Sequence, residues 1–374
     1  DDGCGGSCGA CGMDETCESG LCESICVPAC DDKNCGDDGC GGVCGSCEEN
    51  EECQDGACVT TVCTPQCLNK VCGTDDGCGG ICGLPDCTLN TNKCTLYVNE
   101  NAALAAGNGG SWDEATKNLQ YALVVAAAGS KSCETIEIWV AAGTYRPSET
   151  GDRNASFVLA DNVHLLGGFK GNETKASLAQ PQTHHTHLSG DLSGNDDVDK
   201  WPDALSENSY TLVTAKGLGP SSVISGFIIQ SAQNDGGTQS GGGMYLQSSS
   251  TQVSHVEFFQ NTVVCTANEC GGGGVFIDGG SPAFTDVNVY DNSVRTSGEH
   301  SGGGGVYIKN SSASFRDVEL DGNAVKNLSG SSLYRGGGGA YVHCNDQQKT
   351  GICSPAFYNV LISHNESGNH GNAF

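Results

Sequence analysis

The stretch Gly271–Ile277 reads GGGGVFI, returns as GGGGVYI at Gly302–Ile308 and as GGGGAYV at Gly336–Val342, and is preceded by a shorter GGGMYL from Gly241. Aligned on Asn261, Asn292, Asn323 and Asn365, the recurrence becomes a repeat with steps of 31, 31 and 42 residues, the last lengthened around Cys344 and Cys353. Like residues then fall into columns. Val253, Phe284, Phe315 and Phe357 form one, Val256, Val287, Val318 and Val360 a second, and Phe258, Val289, Leu320 and Ile362 a third. After each glycine run, Met244, Val275, Val306 and Ala340 make a fourth, and Leu246, Ile277, Ile308 and Val342 a fifth. Short strands with like residues at a fixed period of roughly 20 to 50 residues are the mark of a solenoid. The expected fold is all-β, a right-handed parallel β-helix. Stacked turns let the Asn column form an amide ladder at a corner, where Asn also accepts a left-handed backbone. The glycines mark a corner where side chains would collide or φ must be positive.

Composition agrees with a repetitive, extracellular chain. The 374 residues include 56 Gly and 25 Cys, with a net charge of −28. Such a charge repels nucleic-acid phosphates and anionic membrane surfaces, and leaves divalent cations as partners. The cysteine count points to an oxidising, secreted or cell-surface setting. No apolar run reaches the roughly 20 residues of a membrane helix, so no membrane insertion is expected within the chain. The opening Asp1 and Asp2 do not read as a leader, which suggests a processed form or a fragment.

Most of the cysteines fall in residues 1 to 94, in a module of eight: Cys26, Cys30, Cys35, Cys40, Cys44, Cys47, Cys53 and Cys58. Cys63, Cys67, Cys72, Cys78, Cys82, Cys87 and Cys94 repeat it one short, and Cys133 is a candidate for the missing partner, stapling the arm to the next domain. Cys4, Cys8, Cys11, Cys17 and Cys22 match the last five positions, so the chain is expected to open in mid-module. The recurring DDGCGG at Asp1, Asp37 and Asp75 is turn chemistry. The CxxC pairs Cys8–Cys11 and Cys44–Cys47 allow a zinc reading. Without a histidine, and with acidic residues dominating, the segment reads instead as an arm held by disulfides.

Beyond Cys94, SWDEATKNLQYALVVAAAG reads as one amphipathic helix, with Ser111 as N-cap, Glu114 completing a capping box, and Ala115, Leu119, Ala122 and Ala126 on one face before Gly129. Ile136, Ile138 and Val140 then alternate with Glu137, Trp139 and Ala141 as a half-buried strand. A helix here would cap the open end of the strand stack. The expected organisation is 1–94 disulfide-rich modules, 95–209 capping helix and first coils, and 210–374 the repeats of about 31 residues.

Three resemblances bear on these segments. The CGDDGCGGVCGSC signature resembles Gly- and Cys-rich modules found in tandem in predicted secreted proteins of myxobacteria, which implies secretion. The GGG-apolar repeat, with Phe258 to Asn261 fitting FxxN, resembles that of the chlamydial polymorphic membrane proteins, surface-exposed β-helical adhesins, although Val289, Leu320 and Ile362 stand where that family prefers Phe. IWVAAGTYRP, SFVLADNVHLLGGFKGNET, HLSGDLSGNDD and ISGFIIQSAQN are similar to the opening of a class of secreted bacterial parallel β-helix repeat proteins.

Several residues are candidates for chemistry. Tyr245, Phe276, Tyr307 and Tyr341 lie between inward positions, so alternation points them outward as a stacked aromatic face. That face is either a ladder covered by a loop or by the arm, or a platform for a polysaccharide or a neighbouring protein. Asp286 and Asp317, in one column with His255 and Asn359, are the repeat's candidate carboxylates for a hydrolase, against a reading as solvated surface; Arg316 and Arg335 stand isolated as lyase bases. In THHTHLSGDLSGNDDVDKWPD, Asp191, Asp196, Asp197 and Asp199 supply oxygens suited to calcium, with a spacing unlike an EF-hand, and His184, His185 and His187 could reach a transition metal. Cys265 with Cys270, and Cys344 with Cys353, are expected to close small loops. Asn154, Asn172, Asn310, Asn327 and Asn365 are glycosylation sequons, relevant in a host that glycosylates.

The leading expectation is a non-enzymatic extracellular protein, a β-helix rod with a stapled arm, serving as a fibre subunit or an adhesin that meets itself or a host or matrix surface. The alternative is a carbohydrate-active enzyme or polysaccharide-binding module that uses the aromatic face.

Overall fold

The computed structural model describes residues 15–18, 21–24, 28–30, 33–47, 51–54, 56–60, 94–103, 107–128, 133–196, 205–236, 240–266, 269–328, 336–344 and 353–368. The chain divides into two compact units, one of residues 1–66 with 76–80 and one of residues 67–75 with 81–374.

In the first unit, β1 (Glu15–Glu18) pairs antiparallel with β2 (Leu21–Ser24), and β3 (Glu51–Gln54) with β4 (Ala57–Thr60). Disulfides join Cys30 to Cys44, Cys35 to Cys53 and Cys47 to Cys58, linking positions two to five, three to seven and six to eight of the module. The CxxC pair Cys44–Cys47 is thus divided between two bridges, which answers the zinc reading there. The DDGCGG turn behaves as its composition suggests. Asp37 Oδ1 accepts from the Gly39 N–H at 2.7 Å, and Asp38 Oδ1 accepts from the N–H groups of Cys40 and Gly42 at 2.7 and 2.8 Å. Gly39 and Gly41 take positive φ, which is where a side chain would be strained.

Cross-links of roughly 2 to 4 kcal/mol each, and not an apolar core, hold such a unit together. Dithiothreitol is therefore expected to make residues 28–60 protease-sensitive while the far-UV β signal of the second unit survives. Unchanged protease resistance after confirmed reduction of these cysteines would assign the stability elsewhere.

The second unit is mostly β with parallel pairing. It opens with β5 (Thr95–Val98), α1 (Leu119–Ala128), β6 (Ile136–Ala141), β7 (Gly143–Tyr145), β8 (Phe157–Val158), β9 (Val163–Phe169) and β10 (Thr186–Ser189). Next come β11 (Val213–Lys216), β12 (Val223–Ser225), β13 (Ile228–Gln230) and β14 (Gln233–Asn234). The repeats supply β15 (Met244–Gln247), β16 (Gln252–Phe259), β17 (Thr262–Cys265), β18 (Val275–Asp278), β19 (Ala283–Tyr290) and β20 (Ser293–Thr296). They continue with β21 (Val306–Lys309), β22 (Ser314–Asp321), β23 (Ala324–Asn327), β24 (Ala340–His343), β25 (Ala356–Ser363) and β26 (Glu366–Ser367).

From β15 onward each repeat places one strand in each of three sheets. The order β24-β21-β18-β15-β11-β8 makes one sheet, β14-β17-β20-β23-β26 another, and β25-β22-β19-β16-β12-β9-β6-β5, flanked by β13, β10 and β7, the largest. The register matches the sequence columns: Val253 sits beside Phe284, Phe284 beside Phe315 and Phe315 beside Phe357. Met244, Val275, Val306 and Ala340 pair in the same way across their sheet. The phenylalanines stack, with ring centroids 4.8 and 5.1 Å apart. The second unit does not divide near residue 209, because β11 pairs with β8 on one side and β15 on the other.

The asparagine ladder forms as expected. Nδ2 of Asn261, Asn292 and Asn323 each donates to the Oδ1 of the next Asn at 3.0 Å, ending at Asn365. The left-handed backbone falls one residue earlier than expected, on Gln260, Asp291, Gly322 and His364, with φ between 50 and 63°. That turn frees each Asn to point inward and meet its neighbours.

The helix also differs from its reading. Ser111 Oγ accepts from the Glu114 N–H at 3.2 Å, but the helix begins only at Leu119, where Asn118 Oδ1 caps the Tyr121 N–H at 3.0 Å. The intervening backbone is committed elsewhere: Thr116 forms a parallel bridge with Val98, donating to Tyr97 O and accepting from Asn99 N–H. Tyr121, Leu123 and Val125 are buried with Leu119, Ala122 and Ala126, so α1 is apolar on most sides as it packs on β5, β6 and β8. Trp139 and Ala141 are buried as well, beneath an aromatic cluster in which Trp139 stacks on Phe169 at 5.0 Å and meets Tyr97 and Trp112. Cys94 bonds to Cys133, a bridge that lies inside the second unit at the start of its largest sheet.

Candidate functional site

The glycine runs and the aromatic column prove to be parts of one packing device. Tyr245, Phe276 and Tyr307 stack at 5.6 and 4.7 Å, and Tyr341 meets Tyr307 edge-on at 5.1 Å. The column is outward by alternation, yet Phe276 is only 3% and Tyr307 0% exposed, with Tyr245 and Tyr341 half-buried. An open sugar platform is therefore excluded for its two central rings. Glycines that open the runs lie directly against Tyr307 and Tyr341. A Cβ on Gly271 would sit 2.8 Å from the Tyr307 ring, and one on Gly336 would sit 2.1 Å from that of Tyr341. Tyr307 donates its hydroxyl hydrogen to His300 O at 3.0 Å, and burial, with the negative groups nearby, pushes the phenol well above its ordinary pKa. At the other end of each run, a Cβ on Gly243, Gly274, Gly305 or Gly339 would press on the Asn ladder at 3.0 to 3.3 Å.

The repeat's carboxylates are engaged with their own column. His255 Nδ1 lies 2.6 Å from Asp286 Oδ2, and Asn359 Nδ2 donates to Asp317 Oδ1 at 2.6 Å. All four residues have positive φ, a bend shared by Gly226 in the preceding strand pair, so the column marks a corner and not a straight strand. Beside it the loop after β9 leaves a cleft of about 200 Å³ lined by His185, Phe227, His255, Glu257 and Asp286. The three histidines of the 184–187 stretch do not converge there. His185 faces the cleft, while His187 Nδ1 lies 3.1 Å from Gln230 Oε1 with its ring 6.2 Å from that of His185. Arg316 lies over the Tyr358 ring at 5.0 Å, and Arg335 falls outside the described residues.

The acidic segment converges more tightly. Asp191, Asp196 and Glu207 bring one carboxylate oxygen each to within 4.8 Å of one another. Asp197 and Asp199 lie outside the described residues. Asp191, 8% exposed, organises the turn: its Oδ1 accepts from the N–H groups of Gly194 and Asn195 at 2.6 and 3.1 Å, and its Oδ2 from that of Asp196 at 3.3 Å. Asp196 Oδ2 accepts from Asn208 Nδ2 at 2.9 Å. Burial, aided by the charges of Asp191 and Glu207, pushes the Asp196 carboxyl up to about 6. Asp196 Oδ1, Glu207 Oε1 and Asn208 Oδ1 are buried without hydrogen-bond partners. Arg146 donates to the backbone carbonyl of Asp191 at 2.7 Å and, among the described residues, makes no hydrogen bond to the three carboxylates. Glu207 and Asn208 escape a search for short acidic spacing because the fold, not proximity in the chain, carries them back to Asp196.

Both late cysteine pairs form as read, Cys265 with Cys270 and Cys344 with Cys353. Among the sequons, Asn154 and Asn172 are exposed, and Asn310 and Asn327 are half-buried. Asn365 is the ladder's last rung, its Nδ2 donating to Leu320 O at 2.7 Å, so in the folded chain that nitrogen is unavailable to a glycan. No protein family, curated protein or solved structure matches the chain.

Proposed function

We propose that the chain is a secreted, non-enzymatic scaffold: a right-handed parallel β-helix with a disulfide-stapled arm, acting at a cell surface as a fibre subunit or adhesin, in keeping with the adhesin-like repeat and the secreted cysteine modules that it resembles. The observation that carries this reading is the destination of the repeating residues. The apolar columns, the Asn rungs, the glycine runs and the aromatic column all serve to stack one circuit on the next, and the outward polar column is occupied by its own contacts. A repeat so used extends a rigid body.

The last described circuit adds support. Phe357 stacks on Phe315 with one ring face, and its strand β25 lies at the edge of the largest sheet with Phe357, Tyr358 and Leu361 37, 52 and 57% exposed. Edge strands of this kind pair with further strands. Sedimentation velocity and negative-stain electron microscopy of the chain across a wide concentration range test the fibre version, which expects end-to-end association through β25. Monodisperse chains at the highest concentration sink it, and turnover of any polysaccharide sinks the non-enzymatic reading.

A further inference from the structure

We infer that Asp191, Asp196 and Glu207, with the amide oxygen of Asn208, form a calcium site that ties residues 190–196 to residues 205–209. Three carboxylates whose ligand atoms lie within 4.8 Å of one another repel unless a cation stands between them or one takes up a proton, and among the described residues no Lys or Arg side chain pairs with any of them. The independent sign is Asn208. It is 0% exposed, its Nδ2 donates to both Asp196 Oδ2 and Ser231 O, and its Oδ1, on the same planar amide, is buried without a partner. A buried amide oxygen left bare is costly, as are the bare Asp196 Oδ1 and Glu207 Oε1. All of them are hard oxygen donors.

The donor set favours calcium over magnesium. Calcium takes about 6 to 8 oxygens in flexible geometry, from carboxylates, amides and water, whereas magnesium keeps its waters and rarely accepts a cage of protein ligands. The surroundings say what the ion would do. Asn208 O accepts from Arg153 Nε at 2.6 Å, and the same guanidinium reaches Gln233 O and Asp235. Ser209 N–H donates to Gly190 O, Gly190 N–H to Gln230 O, and Gln233 N–H to Ser209 O. Residues 190, 208 and 209 are thus fastened to residues 230–235 or to the Arg153 that binds them, and the ion would hold Asp191, Asp196 and Glu207 to the same place.

Isothermal titration of the whole chain with calcium chloride, after removal of metals by chelator, tests this. One saturable site per chain is expected, with Kd of about 10⁻⁴ to 10⁻³ M as in extracellular calcium modules. Magnesium should bind at least about tenfold more weakly, and calcium should raise the unfolding temperature. Asp196→Asn and Glu207→Gln are each expected to weaken binding about tenfold or more, the loss of a charged ligand. Glu207→Gln carries the test should Asp196→Asn not fold, because the hydrogen bonds of these two segments run through Asp191, Asn208 and Arg153 and not through Glu207. Absence of a saturable site overturns the assignment. So does a site that survives both substitutions, which would be diffuse attraction to a chain of net charge −28, and so does equal binding of magnesium.

Discussion

Asn292→Ala is expected to lower the stability of the second unit by about 4 kcal/mol, read as a fall of about 10 °C in its apparent unfolding temperature. Asn292 is 0% exposed and stands in the middle of the ladder. Its Oδ1 accepts from both the backbone N–H and the Nδ2 of Asn261 at 3.0 Å, and its Nδ2 donates to Phe258 O at 2.8 Å and to Asn323 Oδ1 at 3.0 Å. Alanine leaves the Asn261 backbone N–H without its acceptor, strands one of the two Nδ2 hydrogens of Asn261, whose other still reaches Ile229 O, and removes a donor from the Phe258 carbonyl, at roughly 1 to 3 kcal/mol for each orphaned group. Two comparisons isolate the cause. Asn365→Ala removes an equivalent rung at a half-buried position, where water can replace the amide, and should cost less than half as much. Asn292→Asp keeps the volume but cannot donate to Phe258 O or Asn323 Oδ1, and it buries a charge, so it should be at least as damaging as alanine. Equal and small effects of all three substitutions, measured by thermal unfolding, would show that the ladder is ornamental.

The parts of this molecule that were legible in sequence are those whose physical cause repeats. A column such as Val256, Val287, Val318 and Val360 recurs because identical strands lie side by side, so the period reports register directly. What was not legible depends on contacts without a period. The burial of Tyr307 draws on Gly271 and the His300 carbonyl, contacts without a period, whereas alternation alone assigns both Tyr307 and Phe276 to solvent. The late start of α1 comes from the bridge between Val98 and Thr116, which outcompetes a capping signal that is genuine but local. The acidic site was half visible: Asp191 and Asp196 stand close in sequence, whereas Glu207 and Asn208 are brought in by the chain folding back. The position of the left-handed residue, one before each Asn, follows from the need to turn the chain before the amide can point inward.

Gly273→Ala is expected to be severely damaging, leaving little folded protein. Each glycine of the run has its own reason. Gly272 requires φ of +66°, and Gly271 lies against both the Gly302 carbonyl and the Tyr307 ring, whereas Gly273, without a positive φ, is excluded from carrying a side chain by backbone atoms alone. Its Cβ would stand 2.4 Å from Gly304 O, 2.6 Å from Ser293 O and 2.9 Å from Ser293 N. Gly304 belongs to the next repeat and Ser293 to the facing strand β20, and all three atoms are backbone, so the clash cannot be relieved by rotating a side chain. It must separate two circuits whose hydrogen bonds, such as Gly273 N–H to Gly303 O at 3.2 Å, depend on their spacing. A loss above about 4 kcal/mol belongs to this kind of rigid overlap, whereas over-packing that side chains can absorb costs roughly 1 to 3 kcal/mol. Gly279→Ala is the control: its φ is positive, at +76°, but the nearest atom to the added Cβ is Ser248 Oγ at 3.7 Å, an ordinary contact. It should cost only the roughly 1 to 2 kcal/mol of a left-handed alanine. If soluble yield and unfolding temperature fall equally for the two variants, the glycine runs are selected for backbone conformation. If Gly273→Ala alone fails, they are selected for the closeness of one circuit to the next, which is the reading that the geometry supports.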